Sequence, residues 1–132
     1  MKIAVDTNVL VRSVVRDDAR QARAADKALK SASLIAVALP CLCEFVWVLR
    51  KVYGFSPADI SSAIHALHAA ANVEMNRPAV EAGLAVLNAG GDFADGVIAH
   101  EGAWMGAKTF VSFDKAAVAR LSALGHETRL LS

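Results

Sequence analysis

Short apolar runs alternate with longer helix-forming stretches along the whole chain, and this alternation limits the fold more than any other feature of the sequence. Ile3-Ala4-Val5, Leu34 to Leu39 and Thr109 to Phe113 are apolar runs of strand length. Strands buried on both faces of a parallel sheet read this way, as near-continuous apolar runs. Asn72 to Met75 is a weaker strand, and Glu127 to Leu131 can form a last one. The stretches between carry helix signals. Asp17 to Ala32 is rich in Ala, Arg, Lys and Gln, which predicts a partly exposed helix. Pro40 stands where a helix can start and Gly54 where it can stop. Ser56-Pro57-Ala58-Asp59 repeats the cap-then-proline signal and opens a helix through Ala71. Pro78 begins another that ends at Gly90-Gly91; Asp92 caps one reaching Met105; Lys115 to Leu124 forms the last. The pattern predicts an α/β fold with a central, mainly parallel sheet flanked by helices. Helices outnumber strands, so two or three of them should pack on one another away from the sheet. A chain of 132 residues fits a single domain, 1–132, and can bury one core without a disulfide or structural metal.

Composition removes several function classes. With 55% hydrophobic residues the chain is not a disordered one. Fourteen basic and 13 acidic residues leave a formal charge of +1, so a nucleic-acid binder of this kind needs local patches or bound cations. Cys41 and Cys43 are too close in sequence for a structural staple and lack a second Cys/His pair at zinc spacing. They read as small apolar residues in a reducing compartment. The N-terminus meets Asp6 too early for a signal peptide, and Pro40 and Glu44 interrupt the apolar stretch from Leu34 to Leu49. The expectation is a cytoplasmic protein with no membrane span.

In an open parallel sheet, ligands bind beyond the carboxyl ends of the strands. Asp6 ends the first strand and Asp114 follows the run Thr109 to Phe113, so both should reach the same sheet edge. Glu44 lies in the first turns of the helix leaving the second strand, and Asp92 and Asp95 share one face at the start of another helix. Each acid also has a plain structural explanation. Asp6, Asp92 and Asp114 are suited to capping helices, and Asp95 to answering a helix dipole. Glu44 is harder to explain away, because its neighbours Leu42 to Leu49 are nearly all apolar. An ionised Glu buried there is costly unless paired or bound to a cation; an outward-facing position avoids that cost. Together, converging carboxylates would raise one another's pKa values, and divalent cations relieve the repulsion. Mg²⁺ and Mn²⁺ prefer carboxylate oxygens, and such a site suits phosphoryl chemistry.

Four segments in this order resemble the PIN domain, most closely the VapC-type toxins of bacterial toxin–antitoxin pairs. They are Val5-Asp6-Thr7-Asn8-Val9-Leu10, Glu44 after the second strand, Asp92-Phe93-Ala94-Asp95-Gly96-Val97-Ile98-Ala99, and Val111-Ser112-Phe113-Asp114-Lys115. The resemblance covers essentially the whole chain. It implies a PIN-like three-layer sandwich and an endoribonuclease dependent on Mg²⁺ or Mn²⁺. It also implies hydrolysis of RNA phosphodiesters by a metal-activated water, leaving a 5′-phosphate and a 3′-hydroxyl. Asp6 and Asp95 would be the main metal ligands, with Glu44 and Asp114 completing the set. Asn8, Ser112 and Asp92 would orient ligands or water by hydrogen bonds. The implied partners are an RNA substrate, a small antitoxin whose tail covers the groove, and a second copy of the chain in a homodimer. Gly96 stands where relatives often carry Ala, which should weaken the helix slightly. Lys115-Ala116-Ala117 lacks the acid and aromatic that often follow the fourth segment.

Other residues carry weaker signals. Arg16, Arg20, Arg23 and Lys27 have helical spacing and suit RNA phosphates, although a solvated face is the commoner origin of such a stripe. His65 and His68 read as surface residues. Trp47 and Leu49 suit a dimer or antitoxin groove. Two other functions remain open: a Rossmann-like phosphohydrolase with an aspartyl nucleophile, and a non-catalytic module binding metal or protein. Against the first, Asn8 stands where its second acid belongs; against the second, all four acids are present.

Overall fold

A computed structural model describes residues 1–132. The chain forms two compact units, Met1–Asn76 and Arg77–Ser132. The first contains β1 (Lys2–Ala4), α1 (Thr7–Val14), α2 (Ala19–Ser31), β2 (Leu34–Ala36), α3 (Leu39–Lys51), α4 (Pro57–Ala69) and β3 (Val73–Glu74). The second contains α5 (Arg77–Asn88), α6 (Phe93–Trp104), β4 (Phe110–Ser112), α7 (Lys115–Ala123) and β5 (Thr128–Leu130). The fold is α/β, with parallel strands flanked by helices.

The strands form two parallel ladders. In the first unit the order is β1-β2-β3, with Ile3 opposite Ile35 and Ile35 opposite Val73. In the second unit β4 pairs with β5, Val111 opposite Arg129. The central strand β2 carries the buried Ile35. The first strand is not buried on both faces as its apolar sequence predicts: Lys2 and Ala4 are exposed and Ile3 half-buried. It stands at the end of the three-stranded ladder, paired on one side with β2.

Helix starts follow local chemistry. Asp18 caps α2 through a bond from the Gln21 amide at 3.0 Å, and Ser56 caps α4 through the Asp59 amide at 3.1 Å, with Pro57 at the first helical position. On α2 only Ala22 and Ala25 are buried, as expected of an alanine-lined surface helix. In the first unit α1 packs on α2 and α3, and α3 on α4. Its core includes Leu10, Leu42, Phe45, Leu49, Ile60 and Ile64, all fully buried.

The second unit is organised by the tight pairing of α5 and α6. Two glycines permit it. A Cβ on Gly83 would lie 2.6 Å from the Phe93 ring, and one on Gly96 would lie 2.3 Å from the Ala82 carbonyl oxygen. Gly96 is therefore more than a weakened helix position: it lets the two backbones touch, and Phe93 fills the space beside Gly83. Phe93, Leu87 and Leu121 are fully buried in this unit.

Candidate active site: acids at helix starts

Asp6 follows β1 and caps α1. One of its carboxylate oxygens accepts the Thr7 amide at 2.8 Å, which leaves the second oxygen available. Asn8, on the first turn of α1, is exposed. The Thr7 side chain is buried, and its hydroxyl makes no hydrogen bond of good geometry. Only the Cys41 thiol answers it weakly. Burial pushes that thiol up from its ordinary pKa, the Thr7 contact opposes the shift, and the charges of Asp6 and Glu44 add to it. The same thiol thus feels both acids, so the first unit brings Asp6 and Glu44 into one neighbourhood.

Glu44 is exposed. Its apolar sequence neighbours belong to the other side of the helix, where Cys41, Leu42, Phe45, Val46 and Leu49 form the buried face. The burial cost that seemed to require a partner for Glu44 is therefore absent. Leu49 is likewise core rather than groove, while Trp47 is 58% exposed.

In the second unit three acids gather at two helix starts. Asp92 caps α6 by accepting the Ala94 amide at 3.1 Å. Asp95 sits in the first turn of the same helix, half-buried. Asp114 caps α7 by accepting the Ala117 amide at 3.1 Å. The Ser112 hydroxyl, at the end of β4, accepts the Asp114 amide at 2.9 Å and so fixes the turn that presents this acid. Burial raises the Asp95 pKa above its ordinary value, and the charges of Asp92 and then Asp114 raise it further. Arg120 on α7 opposes the shift.

Arg120 is absent from the residues singled out by sequence. Its Nε donates to the Ala89 carbonyl at 3.2 Å, so it closes the end of α5. Gly91 leaves room for it: a Cβ there would lie 2.4 Å from Arg120 Cδ. The available signal was a single arginine in an alanine-rich helix that begins with an acid.

The acids of the first unit follow β1 and β2, and those of the second lie at the starts of α6 and α7. The model of the PIN domain family matches residues 3–124, which takes in elements of both units and every one of these acids. The chain belongs to the PIN-domain family. No curated protein matches it. PIN domains are in general nucleases, and they generally work with divalent metals.

The PIN domain's acids can be tested against such a cation. No three His, Cys, Asp or Glu side chains form a ready metal cage. The donor chemistry nevertheless fits. Every acid at issue is a hard oxygen donor of the kind Mg²⁺ and Mn²⁺ prefer. Asp95 carries repulsion from Asp92 and Asp114 that Arg120 only partly offsets, and the buried Thr7 hydroxyl beside Asp6 lacks a good partner.

Proposed function

We propose that this PIN domain is a metal-dependent endoribonuclease, the toxin component of a type II toxin–antitoxin pair of the VapC kind. The observation that carries the nuclease chemistry is Asp95, half-buried beside two like charges. Perturbed carboxylates of this kind cluster at functional sites, where a cation or a reaction makes use of the cost.

In this reading Asp6 and Asp95 are the main ligands of Mg²⁺ or Mn²⁺, and Glu44 and Asp114 complete the set. The bound cation would lower the pKa of a water and neutralise charge on the phosphate. The chain's own contribution is placement. Backbone amides hold Asp6, Asp92 and Asp114 by one oxygen each. Ser112 sets the Asp114 turn, and Asn8 is available to hydrogen-bond water or ligand. Arg120 limits the excess negative charge around Asp95.

The toxin assignment, with an antitoxin, a homodimer and a cytoplasmic setting, rests on the resemblance carried by the four acidic segments in order. No helix is long and apolar enough to cross a membrane. The test is cleavage of a mixed RNA substrate by purified protein in Mn²⁺ or Mg²⁺, with chelator and Asp6→Asn controls. Internal cleavage lost in both controls supports the reading. Activity that survives Asp6→Asn places the chemistry elsewhere. Metal binding without cleavage of any RNA favours a binding module.

A further inference from the structure

We propose that the outward face of α2 is a docking track for the phosphate backbone of single-stranded RNA, separate from the acids. The inference rests on the ribonuclease reading above and adds a substrate-binding surface to it.

Arg20, Arg23, Lys27 and Lys30 recur at intervals of three and four residues, which puts them on one stripe of the helix. The stripe is about 15 Å long, with neighbours roughly 5–6 Å apart. All four side chains are exposed. The nearby acids are already committed. Asp17 pairs with Arg12 at 2.6 Å, and Asp18 caps α2. Asp26 takes both ends of the Arg16 guanidinium, at 3.1 and 2.7 Å, and that contact holds its carboxyl below the usual range. Arg16, grouped with the stripe by sequence, is thus neutralised, whereas Lys30, outside that grouping, extends it. The four remaining cations make no close ion pair, although the Asp26 charge still acts on Lys30. In a chain of net charge +1 this is a concentrated positive surface.

The surface suits phosphates better than a protein. Protein interfaces draw most of their energy from buried aromatic or aliphatic anchors. The residues interspersed with this stripe are mainly alanines, which offer none. A row of point charges at regular spacing is sufficient for a nucleic-acid backbone. The position is also suitable. The groove of about 470 Å³ between α1 and α2 is lined by Asn8, Val9 and Arg12 on one side and Gln21, Ala24 and Ala28 on the other. The track therefore lies on the helix that flanks the one capped by Asp6.

The test is equilibrium binding of a fluorescent 20-nucleotide RNA to the full chain in chelator, as a function of salt. The wild type is compared with the triple variant Arg23→Ala/Lys27→Ala/Lys30→Ala. Each lost phosphate contact lowers the salt slope by about 0.7 for a single strand, so the triple variant should lose about 2 units. Affinity at low salt should fall at least tenfold, with the circular dichroism spectrum unchanged. Cleavage of a short oligonucleotide at saturating concentration should be unaffected, because the stripe is not part of the acidic set. An unchanged salt slope overturns the track. Polyglutamate competing as well as RNA at equal charge overturns the RNA assignment in favour of an acidic protein. RNA binding that depends on the stripe without any cleavage upholds the track and overturns the nuclease reading. Neither binding nor cleavage overturns both.

Discussion

Replacing Gly96 with alanine should destabilise the protein, although intrinsic helix propensity argues the reverse. Glycine inside a helix costs about 1 kcal/mol relative to alanine, so on a free helix Gly96→Ala would be a gain. In the structure the new Cβ would lie 2.3 Å from the Ala82 carbonyl oxygen, 2.8 Å from the Ala82 carbonyl carbon and 2.8 Å from Gly83 Cα. Ordinary contact begins at 3.4 Å, so α5 and α6 must part by 1.1 Å at this point. The obstacle is backbone, which no rotamer change can remove. A gap of that size forfeits a quarter to a half of the dispersion energy across a packed contact. Overpacking of this kind costs about 1–3 kcal/mol, and a backbone clash belongs at the upper end. Subtracting the propensity gain leaves a net loss of about 2 kcal/mol. Urea titration should show this as a midpoint lowered by roughly 1 M, at unchanged slope. Gly102→Ala is the internal control. It lies on the same helix, and its Cβ would meet nothing nearer than Ala107 Cβ at 4.0 Å. It should gain up to about 1 kcal/mol. If Gly96→Ala is as stable as the wild type or more so, the helices are not in backbone contact and the account of this unit is wrong.

Asp95→Asn should raise the stability of the metal-free protein while abolishing cleavage. The folded-state pKa of Asp95 is raised, so folding disfavours its charged form. Its stabilising contribution is present below the ordinary carboxylate pKa and is lost as pH rises through the folded value. Melting curves in chelator across that window should show a decline in the wild type that is smaller in the variant. An identical decline in both would remove Asp95 as its source. Asp6→Asn and Asp6→Ala should be equally inactive but not equally stable. Asn can still accept the Thr7 amide, whereas Ala loses the cap at a cost of about 1 kcal/mol, measurable by urea denaturation. Leu49→Ala, in the core, should cost about 2–5 kcal/mol, while Trp47→Ala on the exposed face should cost under about 1 kcal/mol by the same measurement. Comparable losses would mean that the buried face of α3 is misassigned.

Most element positions were readable because their signals are local. Cap residues, prolines and short apolar runs report on neighbours a few positions away, and helices α2 to α7 begin within two residues of where those signals point. What was hidden depends on contacts distant in sequence. The exposure of Lys2 and Ala4 on β1 is not written in the apolar composition of that run. The need for glycine at position 96 follows from Ala82, on another helix. Arg16 read as one of a basic stripe until Asp26, ten residues on, was seen to take its charge. The outward direction of Glu44 was obscured for a different reason. Its segment is so apolar that the helical period was hard to see, and the period is what turns Glu44 and Trp47 away from Phe45 and Leu49. The caps made by three of the acids were legible one by one. The two roles considered for Asp6, Asp92 and Asp114, capping and chemistry, proved compatible, because a cap uses only one oxygen.

That shared use has a thermodynamic consequence. A carboxylate on a long, mobile side chain must lose rotational freedom when it takes up a ligand, and the loss is subtracted from affinity. Asp6, Asp92 and Asp114 have already lost it, because folding of the three helices orders them whether or not a ligand is present. The entropy of organising these groups is therefore charged to the folding equilibrium rather than to binding. A ligand arriving at any one of them meets an oxygen preset in direction, and its affinity should track the integrity of the helix that carries that acid. Conditions that fray those helix starts would weaken binding before the protein unfolds.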